Sequence, residues 1–263
     1  MSTASYPMAD TATMLRRNLR HAQRYPGLSL GAVGMPVIMM LLFGVVFGKT
    51  FSAGLGGANG FDYIDFLTPG ILLMSIASGT MSPAVGAAMD MTEGIVTRFR
   101  TMAIFRPAVL TGHVLGNTIV TIVSLVLVVG FAVLIGFRPN ASVVDWLLVA
   151  GLLIALTVAL TWFAIALGLT SKTPEGASNI VLPISLLLPF LSNTFIPLES
   201  MPSGIRWFAE YQPFTAVIDT LRHLLLGTPM DNGTGWLALG WCAAIAVVGY
   251  FWAQKSYNKG TVA

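Results

Sequence analysis

Side chains able to do acid–base, metal or nucleophilic chemistry are few and scattered in this sequence. The three histidines, His21, His113 and His223, lie far apart, each near an expected membrane boundary. The lone cysteine, Cys242, sits inside an apolar run, so it offers neither a disulfide framework nor a Cys metal cluster. No phosphate loop (GxxxxGK followed by Ser or Thr), HExxH helix, GxSxG elbow or dinucleotide GxGxxG after a strand occurs. The expectation is no catalytic residue, no metal site and no cofactor bound by this chain. Ionisable residues, which are costly in lipid and functional by default, are also nearly missing from the span centres, and this weighs against proton-driven transport.

The elements that carry these residues are set by apolar length. Of 263 residues, 55% are hydrophobic and 10% charged, too little charge to coat a water-facing surface. A helix needs about 20 apolar residues to cross the hydrocarbon core of a bilayer. Runs of this kind predict six spans, near Leu30–Gly48, Phe66–Met89, Ala108–Phe137, Val143–Thr170, Ala177–Asn193 and Trp236–Ala253. The first run begins near Leu28 and is as long as a full span, which predicts a retained helix and not a cleaved signal. The third is long enough to start in the preceding loop. The expected fold is an all-α integral membrane protein. Residues 1–27 form a cytoplasmic amino-terminal segment, 28–254 a six-helix domain, and 255–263 a cytoplasmic tail.

Charge orients the spans. With six crossings, Arg16, Arg17, Arg20, Arg24, Arg98, Arg100, Arg106, Lys172, Lys255 and Lys259 share one side, and Lys49, Arg138, Arg206 and Arg222 the other. The positive-inside rule then puts both termini, Glu93–Pro107 and Lys172 in the cytoplasm. Phe51–Asp62 and Ser200–Gly233 fall outside. Before the first span, Ala12, Leu15, Leu19 and Ala22 face one way and four arginines the other, the pattern of an interfacial amphipathic helix; a plain basic flank is the alternative. Lys49–Asp62 is glycine-rich. Thr194–Gly235 is apolar but broken by Pro197, Pro202, Pro213 and Pro229, leaving pieces near Ser203–Tyr211 and Phe214–Leu226 too short to span. Such pieces are commonly re-entrant or interfacial. With a net charge of only +3 and no interleaved basic and aromatic stripe, nucleic acid is not an expected partner.

Three segments, in order and spacing, resemble the membrane subunits of type-2 ABC exporters, in particular the daunorubicin-resistance-like group. They are YIDFLTPGIL (Tyr63–Leu72), EGIVTRFRTMAIFRPAVLTGHVLGN (Glu93–Asn117) and FIPLESMPSGIRWFAEYQPFTAVIDTLRHLLLG (Phe195–Gly227). The resemblance implies six spans, an amphipathic amino-terminal helix, a cytoplasmic coupling helix and two short outer re-entrant helices between spans five and six. It further implies that two membrane subunits, identical or not, pair in a bacterial plasma membrane, and that each docks on a cytoplasmic ATPase carrying ATP and Mg. Ala103 stands where many relatives have proline, which bears on the shape of the coupling segment's end.

The residues of that segment suit the role. Glu93, Arg98, Arg100 and Arg106 offer charged contacts, and Phe99 an aromatic anchor, to a soluble partner. A solvated topology loop is the alternative. The resemblance also implies a substrate path between the second and fifth spans, where this chain has Met74, Ser78, Met81, Ser82, Asn179, Ser185 and Asn193. Methionine suits apolar ligands of varied shape, while small hydroxyl residues also serve as helix-packing glue. The expected function is the permease of an ATP-driven exporter for a hydrophobic or amphipathic compound, a drug or lipid-like metabolite. Export of a cell-envelope lipid or glycan is the alternative, followed by a secondary transporter or channel and an intramembrane enzyme.

Overall fold

Helix ends in this chain are fixed by short polar and proline signals set between apolar runs. The structure, a computed structural model, describes residues 11, 13, 15, 16, 26–48, 50, 63–93, 106–231 and 233–259, and all regular elements among them are helical. Helix α1 (Pro26–Met40) runs on into a π-helical stretch, Leu41–Val46. Then come α2 (Tyr63–Gly79), α3 (Met81–Thr92), α4 (Arg106–Ile135), α5 (Val143–Thr170) and α6 (Pro174–Phe190). A 3-10 turn, Leu198–Ser200, leads to α7 (Ser203–Tyr211), α8 (Pro213–Leu226) and α9 (Thr234–Lys259).

α5 opens on a capping box: the Ser142 hydroxyl accepts the Asp145 N–H, and the Asp145 carboxylate accepts the Ser142 N–H at 2.9 Å. α6 opens on Thr173, whose hydroxyl accepts the Gly176 N–H at 3.0 Å, with Pro174 in the first position, where its missing N–H costs nothing. α8 starts on Pro213 and stops at Gly227, whose φ of 70° is the left-handed cap that glycine adopts without penalty.

Among the described residues, four helices are long and apolar enough to cross a membrane: Tyr63–Thr92 (α2 with α3), Leu110–Ile135, Val143–Thr170 and Thr234–Asn258. α1 with its π-helical continuation has 15 plus 6 residues, about 30 Å at about 1.5 Å per residue. α6 has 17 residues, about 25 Å by the same rise. The multi-pass membrane character is thus plain in the helices themselves.

The second span, expected as one run over Phe66–Met89, is broken at Thr80. Pro83 has no N–H to give the Gly79 carbonyl. Thr80 turns back on the preceding helix, its N–H and its hydroxyl reaching the Ala77 carbonyl at 3.2 and 2.6 Å. The glycine-rich segment 51–62 and the coupling segment 94–105 lie outside the described residues. So does most of the amphipathic amino-terminal segment, of which Leu15 is helical and half-buried and Arg16 helical and exposed.

α5 is the hub and packs against α2, α3, α4, α6, α8 and α9. One core cluster gathers at the Tyr63 end of α2 around Leu67, Ile71, Phe137, Leu156, Val217 and Leu221. A second, around Leu110, Val114, Ile165, Leu169 and Tyr257, lies at the far end of α3. Because lipid is as apolar as leucine, helices in a membrane gain by close approach instead of by desolvation. Gly168 of α5 lies so close to the Ala84 backbone of α3 that a β-carbon would collide with it, and a β-carbon on Gly249 of α9 would come within 2.7 Å of the Phe163 nitrogen.

Candidate functional site

Three features lie along the α2–α3 rod, and each draws together residues distant in sequence. At the Tyr63 end is a buried cation. The guanidinium of Arg222, on α8, donates to the Phe66 carbonyl through Nε (3.2 Å) and Nη2 (3.0 Å) and to the Asn193 carbonyl through Nη2 (2.7 Å). It also stacks 3.7 Å over the Phe66 ring and lies 3.6 Å from the Asp219 carboxylate. Asn193 closes the cluster by donating its side-chain N–H to Asp219. Burial pulls the Arg222 guanidinium down to about 10, with Asp219 opposing, so it stays charged at neutral pH. Burial pushes the Asp219 carboxyl up from the usual carboxylate range, with Arg222 and Asn193 pulling it back.

Around this cation the Tyr63 hydroxyl donates to the Phe195 carbonyl at 3.0 Å, and Gly70 leaves room for Thr194, which a β-carbon would strike. Asp65 accepts the Arg138 N–H at 3.1 Å. Segments Tyr63–Leu72 and Phe195–Gly227, quoted separately from the sequence, are thus one structural unit.

The second feature is at the break. Thr80 and Ser185 share a hydrogen bond at 3.3 Å between α2–α3 and α6. They sit in the wall of a cavity of about 260 Å3 lined by side chains of α2, α5, α6 and α9 and by the start of α8. Near the far end of α3 is the third feature. Asp90 and His113 of α4 meet at 2.9 Å, both at least nine-tenths buried, and tie the end of α3 to the start of α4. The next turns of α4 add a bond from Asn117 to the Thr161 hydroxyl at 2.9 Å.

The residues expected on the substrate path part company. Ser185 lines the cavity, and Asn193 belongs to the Arg222 cluster. Met74 is fully buried in the core and Ser78 half-buried, while Met81 packs beside Ala84, Ala164 and Val181. Ser82 and Asn179 are exposed on this single chain. Of the coupling residues, Glu93 is exposed at the end of α3, its N–H bonded to the Met89 carbonyl at 2.9 Å. Arg106 begins α4, and Arg98, Phe99 and Arg100 lie outside the described residues. Among the described residues no group of three His, Cys, Asp or Glu side chains could hold a metal.

Arg222 and Asp90 were not singled out by sequence reasoning. The usable signal for Arg222 is a cation three residues after Asp219 in a largely apolar helix of 14 residues; for Asp90 it is an acid directly after the apolar run that ends at Met89.

Comparison with known proteins bears on what such an arrangement serves. A profile described as ABC-2 type transporter matches residues 9–226. The daunorubicin resistance ABC transporter permease protein DrrB1 of Streptomyces coeruleorubidus is 28% identical over 224 residues, 84% of this chain and 76% of its own length. A probable doxorubicin resistance ABC transporter permease protein, DrrC, of Mycobacterium tuberculosis is 24% identical over 247 residues, 92% of this chain and 85% of its own. The inner membrane transport permease YadH of Escherichia coli is 23% identical over 193 residues, 73% of this chain and 74% of its own.

Proposed function

Because the chain belongs to the ABC-2 type transporter family, it is a transmembrane permease subunit served by a separate cytoplasmic ABC ATPase, and we propose that it exports a hydrophobic or amphipathic compound. The observation that carries this reading is the family match over residues 9–226. Relatives named for daunorubicin and doxorubicin resistance support a drug or lipid-like metabolite as the cargo.

In this reading all six apolar helices cross the plasma membrane of a bacterium, with α1 and α6 joining the four longer ones. Both termini, residues 1–27 and 255–263, are cytoplasmic. The Arg222 cluster then lies at the outer end of the domain 28–254, and the Asp90–His113 pair at the inner end. Two membrane subunits pair, each with one ATPase copy, and ATP with its Mg is held on the ATPase. Met74, Ser78, Met81, Ser82, Asn179, Ser185 and Asn193 belong to the path. Exposed Ser82 and Asn179 suit a face that a second copy completes.

Coupling falls to Glu93, Arg98, Phe99, Arg100 and Arg106, on the longest cytoplasmic connection. Residues 94–105 join α3 to α4 directly, and Asp90–His113 ties those helices together just above. A push on the segment therefore reaches α3 as a rigid piece. Losing one exposed charge there costs about 0–1 kcal/mol, whereas losing an aromatic anchor costs about 2 kcal/mol or more.

The test is inside-out vesicles carrying the chain with its ATPase, with daunorubicin as probe. ATP-dependent accumulation is expected; it should be lost in the Arg98→Ala, Phe99→Ala, Arg100→Ala triple variant and reduced more by Phe99→Ala than by Arg100→Ala. If the triple variant assembles and transports like wild type, the coupling assignment is wrong. If neither daunorubicin nor a fluorescent lipid moves with ATP, or the probe moves the other way, the exporter reading fails.

A further inference from the structure

The cavity between α5, α6 and α9 shares Ser185 with the path proposed above, which runs between the second and fifth spans of paired subunits, but takes much of its lining from α5 and α9, which that path does not use. α6 packs on α2, α3 and α5, and α9 on α5 and α8, so the two flank α5 and leave a cleft between them. The floor is α5, with Phe163 and Leu167, and the sides are Ile184 of α6 and Ile245 of α9. Pro213 and Phe214 close one end. Ala244 and Val248 of α9 line the rim and are exposed, so the cleft opens sideways from the helix bundle.

From this geometry we infer that the cleft is a lateral binding site for one acyl chain of a bilayer lipid. The volume, about 260 Å3, exceeds the roughly 150 Å3 of an apolar cavity that takes up benzene. Water is a poor occupant, because a buried water needs two to four polar partners. The polar side chains in the wall are the Thr80 and Ser185 hydroxyls, already bonded to each other and to the Ala77 carbonyl, and the indole of Trp241. An empty cleft would leave the apolar walls without dispersion partners. Its place along α5 and α9, both long enough to cross a membrane, puts the mouth at the depth where hydrocarbon chains are the solvent. The wall includes the Thr80 break, so a bound chain touches the joint between α2 and α3.

The experiment uses the full chain, with Cys242→Ala, in nanodiscs of phosphatidylcholine carrying a trace of the same lipid with a diazirine in its acyl chain. Photolabelled positions are mapped by mass spectrometry. In wild type, Phe163 and Leu167 should be labelled at the level of Val126, an exposed residue of α4, and well above the buried Leu72 and Leu156. In Ala244→Trp, which plugs the rim from an exposed position, Phe163 and Leu167 should fall to the level of Leu156 while Val126 is unchanged. Labelling of Phe163 and Leu167 no higher than Leu156 in wild type would overturn the inference. So would labelling that ignores the plug, or crosslinking of Ala244→Cys to a second copy, which would mean that the cleft is an interface. None of these outcomes depends on the direction of transport or on its cargo.

Discussion

Two helices of this chain long enough to cross a membrane, Tyr63–Thr92 and Thr234–Asn258, have apolar 18-residue stretches close in mean hydropathy, 1.5 and 1.7, yet 67% of the first stretch is buried and only 22% of the second. Hydropathy therefore says that a helix enters the membrane and nothing about where in the bundle it stands. What separates the two is the arrangement of small and polar residues. α2–α3 buries Thr68, Gly70, Ser75, Thr80, Ala84, Ala87 and Asp90 against several neighbouring helices, leaving residues such as Ser82 and Met89 exposed. α9 buries a single seam, Ala238, Cys242, Gly249, Ala253 and Tyr257, against α5 and α8, and turns Leu237, Leu239, Val247 and Phe251 outward. In lipid, close approach and satisfied polar groups hold helices together, so the enclosed helix should be fragile and the peripheral one tolerant.

The strongest test of that contrast is Arg222→Ala. It removes the donor to two buried carbonyls on α2 and at the end of α6, each costing about 1–3 kcal/mol when left unsatisfied. A loss of about 3 kcal/mol or more is expected, read as a large drop in the thermal unfolding midpoint in detergent. An unchanged midpoint would mean that the cluster does not hold α2 in place.

Gly168→Leu should cost about 1–3 kcal/mol, because the new side chain must push α5 off the Ala84 backbone. Size-exclusion profiles after mild heating should show aggregation earlier than wild type, and wild-type behaviour would show that the two helices have slack. The smallest effect belongs to Leu239→Ala on the outer face of α9, within about 0.5 kcal/mol of wild type. A midpoint drop matching that of Gly168→Leu would reveal that this face is covered by a partner and not by lipid.

Local signals made part of this legible in the sequence. α5 begins and ends at the expected residues, because Ser142 and Asp145 cap one end and Thr173–Pro174 restarts the chain after the other. The short pieces between α6 and α9 were marked by prolines. The Thr80 break carries no signal in charge or length: the run from Phe66 to Met89 holds no charged residue, and the consequence of Pro83 depends on how Thr80 folds back. Arg222 reads as one more outer charge, since its hydrogen-bond acceptors stand 156 and 29 residues away and are backbone carbonyls, which leave no trace in side-chain type. His113 stands in the sequence only as a histidine near an expected membrane boundary, because its partner, the Asp90 carboxylate, lies 23 residues upstream, beyond the coupling segment. Of the residues expected on the substrate path, Ser185 and Asn193 are buried and hydrogen-bonded, and their partners, Thr80 and Asp219, carry no signal in the sequence that would pair them.

The enclosure of α2–α3 also bears on how the chain is made. This helix has the lowest mean hydropathy of the four long ones, 1.5 against 2.9, 2.4 and 1.7, and it leaves the ribosome before α4, α5 and α8 exist to surround it. The translocon judges each segment largely alone, and a central Asp costs it about 2.5–3.5 kcal/mol; Asp65 and Asp90 sit near the ends, where the penalty is smaller. Nascent chains stopped after α3 should therefore hold this segment in the bilayer loosely, and those extended through α8 firmly. A glycosylation tag placed beyond residue 93 would report the difference, and equal occupancy at both lengths would show that α2–α3 commits to the membrane unaided.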